Sequence, residues 1–387
     1  ASPVANLSAT ANVGSFADWQ GLADKMRGGQ VKVALVHGAN TVYGLPTSVG
    51  FDKALSGMDK VISFSSFMDE TTALADLILP DHVYLEAWGD DITEPGPGYQ
   101  VMSFQQPVVR PLYNTRAFGD SLLDIARRLG GSVGQALPWA TMKDALKATA
   151  QKLQALNRGS VQSPSFDAFW NTVLQRGGWW DINSKGSQSL ASLPKLPTDK
   201  AEPEFEGAAL QPKGAADGES YYLIPFASNS LGDGKGANLP WLQASQDPLT
   251  TVAWTAWAEI NRKKAQELGI KEGDELEIEG PGGVILALAY LHPGVSPEVI
   301  CIPTGQGHTH YGDYDIGPDL YRNGVGTGRG PNVYSALAPV QVKGAGALAW
   351  AASRVRVRKT GKNFRMPKFE GPVYADFRLV EELVPIS

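Results

Sequence analysis

The chain has 387 residues, with 34 Lys and Arg against 40 Asp and Glu and a formal net charge of −6. Its one dense basic run is "SRVRVRKTGK", too little for the electrostatic footprint of a nucleic-acid-binding protein, and that class is excluded. The single cysteine, Cys301, can neither close an internal disulfide nor hold an iron–sulfur cluster, and no run of 18 apolar residues is available to span a bilayer.

A chain longer than roughly 250–300 residues outgrows one hydrophobic core, so two domains are expected. "ASPVANLSATAN" has neither an initiating Met nor an apolar signal-peptide core, and the sequence is expected to be a processed chain or the later part of a longer one. "VKVALVHG" and "KVISFSSF" read as strands. Between them Val49, Ala54, Leu55 and Met58 share one helix face, giving a βαβ unit with a right-handed crossover. "DETTALADLILP" places acidic residues at a helix start and then a short strand stopped by Pro80. This alternation predicts a Rossmann-like layer over residues 25–130.

Residues 141–176 carry apolar residues at helical spacing in "TMKDALKATAQKLQAL" and "SFDAFWNTVLQR", which predicts two helices. Residues 178–217 are rich in Gly, Pro, Ser and charge and read as a linker. Beyond them come short strand-like runs: "SYYLIPF", "DELEIEG", "GVILALAYL", "EVICIPTG", "APVQV" and "SRVRVRK". One predicted helix, "WAEINRKKAQELGI", interrupts them, stops at Gly269, and leads through a tight turn at Glu272-Gly273-Asp274 into a strand. Short strands with a single helix suggest a small closed barrel.

Two blocks carry a family resemblance. "WAEINRKKAQELGIKEGDELEIEGPGG" resembles the start of the C-terminal cofactor-binding barrel of the molybdopterin oxidoreductases, the dimethyl sulfoxide reductase family. "HGANTVYGLP", with "VISFSSFMDETTALADLILPDHVYLEAWGD", is similar to that family's Rossmann-like third domain. The family's N-terminal cluster motif and usual molybdenum ligand have no counterpart here. The resemblance implies an α/β protein: a Rossmann-like three-layer domain over residues 1–135, a helical segment and linker over 136–217, a double-psi six-stranded β-barrel over 218–362, and a tail over 363–387.

Three loops hold the candidate site residues. His37, Gly38 and Asn40 follow a strand where cofactor-bearing relatives place a nucleotide, and Asn40 either hydrogen-bonds a guanine or closes an Asx turn. Asp69 and Glu70 of "DETT" either reach a sugar or guanine amine or stabilise a helix start. "GQGHTHYG" gathers Gly305, Gln306, Gly307, His308 and Tyr311 on one surface loop that contacts the pterin in cofactor-bearing relatives, against the competing reading of packing on a neighbouring domain. His308 and His310 have no third ligand at metal spacing, so neither a metal site nor a catalytic residue is assigned. "GDGKG" and "GVGTGRG" lack the strand–helix setting of a phosphate loop, and Cys301 reads as an inert apolar-run thiol.

"DPLTTVAWTAWAEIN" and "PTGQGHTHYGDYDIG" are most similar to the molybdopterin-like subunits of alternative complex III and of the menaquinone reductase complex. That branch implies a structural and electron-transfer component of a membrane-associated, quinol-linked complex on the periplasmic face of the cytoplasmic membrane. The chain itself would then bind no cofactor and not be the catalytic centre. Iron–sulfur clusters and haem c would sit in partners: the remainder of the molybdopterin-like subunit, an iron–sulfur segment, a multihaem cytochrome c and quinone-binding membrane subunits. The alternative is the C-terminal part of a catalytic molybdenum reductase of the polysulfide or thiosulfate type, binding molybdopterin guanine dinucleotide.

Overall fold

The computed structural model describes residues 14–92, 99–181, 213–214, 220–310, 312 and 330–369. In chain order its elements are α1 (Phe16–Arg27), β1 (Val33–Val36), α2 (Thr41–Gly44), α3 (Phe51–Ser56), β2 (Lys60–Ser63), β3 (Leu77–Ile78), β4 (Gly89–Asp91), β5 (Gln100–Gln105), α4 (Phe118–Leu129), α5 (Gly131–Ala136), α6 (Met142–Gln154), α7 (Phe166–Arg176) and β6 (Gly178–Asp181). There follow β7 (Lys213–Gly214), β8 (Ser220–Phe226), α8 (Pro240–Gln243), β9 (Trp257–Asn261), α9 (Arg262–Glu267), β10 (Asp274–Gly280), β11 (Gly283–His292), β12 (Val299–Pro303) and β13 (Ser353–Asn363). They form two compact units. Unit 1 comprises Ala1–Ala39, Ala54–Phe67 and Leu74–Ala209, and unit 2 comprises Asn40–Lys53, Met68–Ala73 and Leu210–Ser387.

Unit 1 holds a three-stranded parallel sheet in the order β1-β2-β3 and a three-stranded antiparallel sheet in the order β4-β5-β6. Parallel pairing of Leu35 with Ile62 and of Ile62 with Leu77 shows the expected βαβ crossover. The three-layer form does not follow. Val33 and Leu35 are each 52% exposed, so β1 alternates between covered and open faces although its apolar run reads as a strand covered on both. The two helices predicted within 141–176 are α6 and α7. α6 starts at a capping box between Thr141 and Asp144, and α7 is capped by the Ser165 side chain and closed by Gly177 in the left-handed region. Both pack on the β4-β5-β6 sheet around Met102, Phe104, Leu146, Phe169, Trp170 and Trp179.

Unit 2 is built on one mixed seven-stranded sheet in the order β10-β11-β9-β12-β8-β13-β7, with a further β10–β13 pairing. The six-stranded double-psi barrel expected from the resemblance is corrected to this seven-stranded mixed sheet. The long strand β13 serves two neighbours in succession: Ser353–Arg356 pair with β8, and Arg356–Asn363 pair with β10. Its first residues also take on the extra strand β7. Leu223, Ile260, Leu276, Ile278, Ile300, Ile302 and Val355 are fully buried and form the core.

Two further expectations change. "WAEIN" is not the first turn of a helix but strand β9, paired in parallel with β11 and antiparallel with β12. Asn261 then caps α9 by accepting from the amides of Lys263 and Lys264 at 3.0 and 3.2 Å. "APVQV" contributes only an isolated bridge from Gln341 to Leu348. Gly273 lies where the turn into β10 needs it, at φ +81°, and a Cβ there would meet the Phe364 carbonyl oxygen at 2.3 Å. Among the described residues, no helix is long and apolar enough to cross a membrane.

Candidate functional site

The strongest gathering of sequence-predicted residues lies in unit 2, around the carboxylate of Glu70. Its Oε1 accepts from the amides of Thr309 at 2.6 Å and His310 at 3.3 Å. Its Oε2 accepts from Asn40 Nδ2 at 2.6 Å, and His308 Nδ1 lies 3.2 Å from both oxygens. Burial raises the affinity of Glu70 for a proton, yet the hydrogen bond and charge of His308, with those of Asn40 and Thr309, outweigh it and bring the pKa down to about 2. Asn40 also accepts from the amide and hydroxyl of Thr71 through Oδ1, so its side chain is a tie between segments rather than a local Asx turn.

His308 is buried, at 3% exposure, and not on the surface loop that the sequence suggests. Its ring stacks on Tyr43 at 3.7 Å between centroids, and the Tyr43 hydroxyl donates to the Gln306 carbonyl at 2.9 Å. Burial pushes the Tyr43 hydroxyl well above its ordinary pKa and keeps it a donor. Asn332 Nδ2 donates to the Tyr43 carbonyl at 2.9 Å. Gly307, at φ +83°, sits so close to the chain that a Cβ would fall 2.0 Å from the Asn332 amide nitrogen. Tyr43, Gln243 and Asn332 were missed by the sequence reading. Tyr43 stands inside the quoted "HGANTVYGLP", but nothing in sequence spacing joins it to residue 308.

Of the remaining candidates, His37 and Asp69 have partners of their own. His37 belongs to unit 1, where its Nε2 meets Asp81 Oδ2 at 2.7 Å and its ring stacks on Phe118 at 3.9 Å. Gly38, at φ +65°, has open space where a Cβ would be. Asp69 accepts from the Thr72 amide at 2.6 Å, as a carboxylate at the start of a helical turn does. Glu86 likewise receives backbone amides, from Leu112 at 2.9 Å and Val83 at 3.3 Å. Tyr311 and most of "GVGTGRG" lie outside the described residues. Cys301 is half-buried, and burial followed by the charge of Glu259 pushes its thiol up to about 11.

Beside Gln306 the same unit carries a polar pocket of about 20 Å³, room for one small polar group, bordered by Ser228, Ser230, Gln243, Asp247, Trp254 and Gln306. The carboxamides of Gln243 and Gln306 face each other, with contacts of 2.7 and 3.3 Å. Trp254 holds φ +63° and Thr251 φ +59°, backbone strain fixed by hydrogen bonds from Trp254 N to Gln243 O and from Ala253 N to Pro367 O. Elsewhere in unit 2, the Thr41 hydroxyl is buried with no hydrogen-bond partner among the described residues. At this volume the pocket holds one water-sized group among hydroxyls, a carboxylate, paired carboxamides and an indole, so it offers a pterin or a guanine no more than a single edge contact.

Comparison with known proteins gives a likeness over part of the chain. Residues 243–335 match the molydopterin dinucleotide binding domain. The chain carries a molybdopterin-oxidoreductase family domain. The chain is 27% identical, over 85% of its own length and 42% of the relative's, to the molybdopterin-binding-like subunit of menaquinone reductase from Nitratidesulfovibrio vulgaris. It is 25% identical to the molybdopterin-containing subunit of arsenate respiratory reductase from Shewanella sp., over 74% of this chain and 40% of that one. It is 25% identical to a tetrathionate reductase subunit from Salmonella typhimurium, over 71% and 33%. The chain thus spans less than half the length of these relatives. Among solved structures, acetylene hydratase from Pelobacter acetylenicus superimposes with a TM-score of 0.60 at 17% identity, covering 87% of this chain and 46% of that one, a likeness of fold.

These findings correct three expectations. A match to a dinucleotide-binding domain runs against a chain without cofactor. Similarity to reductase subunits runs against a non-catalytic scaffold. The specific assignment to alternative complex III has no support in them, and neither has a role in a membrane complex.

Proposed function

We propose that this chain is the dinucleotide-binding part of a molybdopterin-containing reductase subunit. The observation that carries the reading is the 243–335 match, because that stretch contains the pocket wall from Gln243 through Asp247 and Trp254 to Gln306. The relatives named for the reduction of arsenate and tetrathionate support an inorganic oxyanion or sulfur compound as the class of substrate. When bound, the cofactor supplies the metal centre at which electrons pass to such a substrate.

The chain's own residues bind and orient. Asp247 would accept from an amino or ring N–H group, and the hydroxyls of Ser228 and Ser230 would serve a ring nitrogen or carbonyl. Asp247 Oδ1 already receives the amides of Leu249 and Thr250 at 3.0 and 2.8 Å, which fixes the direction of the carboxylate. Seating a pterin or guanine ring there would require the wall to open beyond its present volume of about 20 Å³. The test is content: the protein purified with whatever accompanies it should carry molybdenum or tungsten together with a fluorescent oxidised pterin on acid extraction. A folded preparation free of both would overturn the reading.

A further inference from the structure

We propose that Glu70 is a positioning residue for the dinucleotide pocket: it holds the 305–310 segment so that Gln306 stays in the pocket wall. This rests on the function proposed above for the same unit. The carboxylate does not behave as a ligand group. Asn40, Thr309 and His310 donate to it, and His308 Nδ1 lies within hydrogen-bond distance of both its oxygens. It therefore acts through the loop.

The loop is pinned at two places. At one, the Gln306 carbonyl accepts from Tyr43 and the Gln306 carboxamide meets that of Gln243, which borders the pocket. At the other, two to four residues on, Glu70 gathers His308, Thr309 and His310. The Tyr43–His308 stack joins the two places, so releasing the second pin loosens the first. Asn40, on the same segment as Tyr43, fixes the carboxylate from the opposite side and is itself held by Thr71. A buried hydrogen-bonded network of this kind favours one arrangement of its members.

The experiment uses the protein as purified, with four variants: Glu70→Ala, Glu70→Gln, Asn40→Asp combined with Glu70→Gln, and Gly269→Ala as a stability control. Amide hydrogen exchange over 305–310 and extracted pterin are the readouts. Glu70→Ala should speed exchange at Thr309 and His310 by about tenfold or more and lower pterin content by at least about half. Glu70→Gln should fall between it and the parent. The double variant should recover toward the parent, because the carboxamide introduced at position 70 can donate to the carboxylate introduced at position 40 while its carbonyl still accepts from Thr309. Gly269→Ala, a destabilising change with no contact to the network, should leave pterin content unchanged.

Parent-like exchange and pterin in Glu70→Ala would overturn the proposal. So would an equal loss of pterin in Gly269→Ala at a matched melting shift. A parent protein without pterin would refute the proposed function instead, and exchange at 305–310 would still decide whether Glu70 fixes that wall.

Discussion

Replacing Gly273 with Ala should destabilise unit 2 about twice as much as replacing Gly269 with Ala, although both glycines have positive φ, +81° and +64°. A side chain in the left-handed region costs about 1–2 kcal/mol by itself. At Gly269 nothing lies within 4 Å of the new Cβ, so that cost is the whole effect. At Gly273 the Cβ would lie 2.3 Å from the Phe364 carbonyl oxygen, a backbone atom that cannot swing away. Phe364 N donates to the Gly273 carbonyl and Gly273 N to the Ala289 carbonyl, both at 2.9 Å, so relief must stretch at least one of these bonds. Each is worth about 1 kcal/mol net. The sum is about 2–4 kcal/mol for Gly273→Ala against about 1–2 for Gly269→Ala, or roughly 4–16 °C against 2–8 °C in Tm for a unit of this size. Calorimetry or dye-monitored melting reads the difference. Melting shifts within about 2 °C of each other would refute the reasoning.

Acid should weaken unit 2 in a defined window. The folded pKa of Glu70, about 2, lies below the ordinary 4.5, so its contribution is present above pH 4.5 and fades as the pH falls toward 2. Urea midpoints should drop through that window and do so less in Glu70→Gln; an unchanged slope in the variant would contradict the network. Cys301, with its thiol raised to about 11, should react with a thiol reagent at pH 8 far more slowly in the native protein than in urea. Fast native labelling would show the thiol to be open. Trp179 is fully buried and donates to the Arg158 carbonyl at 3.1 Å, so Trp179→Ala should cost unit 1 about 3–5 kcal/mol, visible as an early melting transition.

Local signals were legible where a residue's role depends on its neighbours in sequence. Apolar residues at helical spacing marked α6 and α7, and the Glu272–Asp274 turn carried its positive-φ glycine where the spacing put it. "WAEIN" was misread because Ala258 and Ile260 suit a helix face as well as a strand, and only pairing with β11 and β12, distant in sequence, decides between them. The site behaved in the same way. Asn40, Glu70 and His308 were all chosen as candidates, but their joining depends on contacts across more than 200 residues. Tyr43 and Gln243 belong to the same network and carried no motif. His308 was placed on the surface because a Gly- and polar-rich loop reads as solvated, whereas its polar groups are met by a buried carboxylate.

Unit 2 is assembled from pieces of chain that leave the ribosome far apart in time. The chain passes from one unit to the other after residues 39, 53, 67, 73 and 209, so no single cut releases unit 2 with Asn40, Tyr43 and Glu70 still in it. Glu70 precedes His308 by 238 residues. At ordinary elongation rates of roughly 5–20 residues per second, its carboxylate waits about 12–48 s in water before the donors that enclose it exist. During that interval Glu70 has the pKa of a free side chain, and "HGANTVYGLP" has no partner for its tyrosine. The early steps of synthesis therefore expose a half-built pocket to chaperones and proteases, and a fragment that stops short of residue 310 cannot close it.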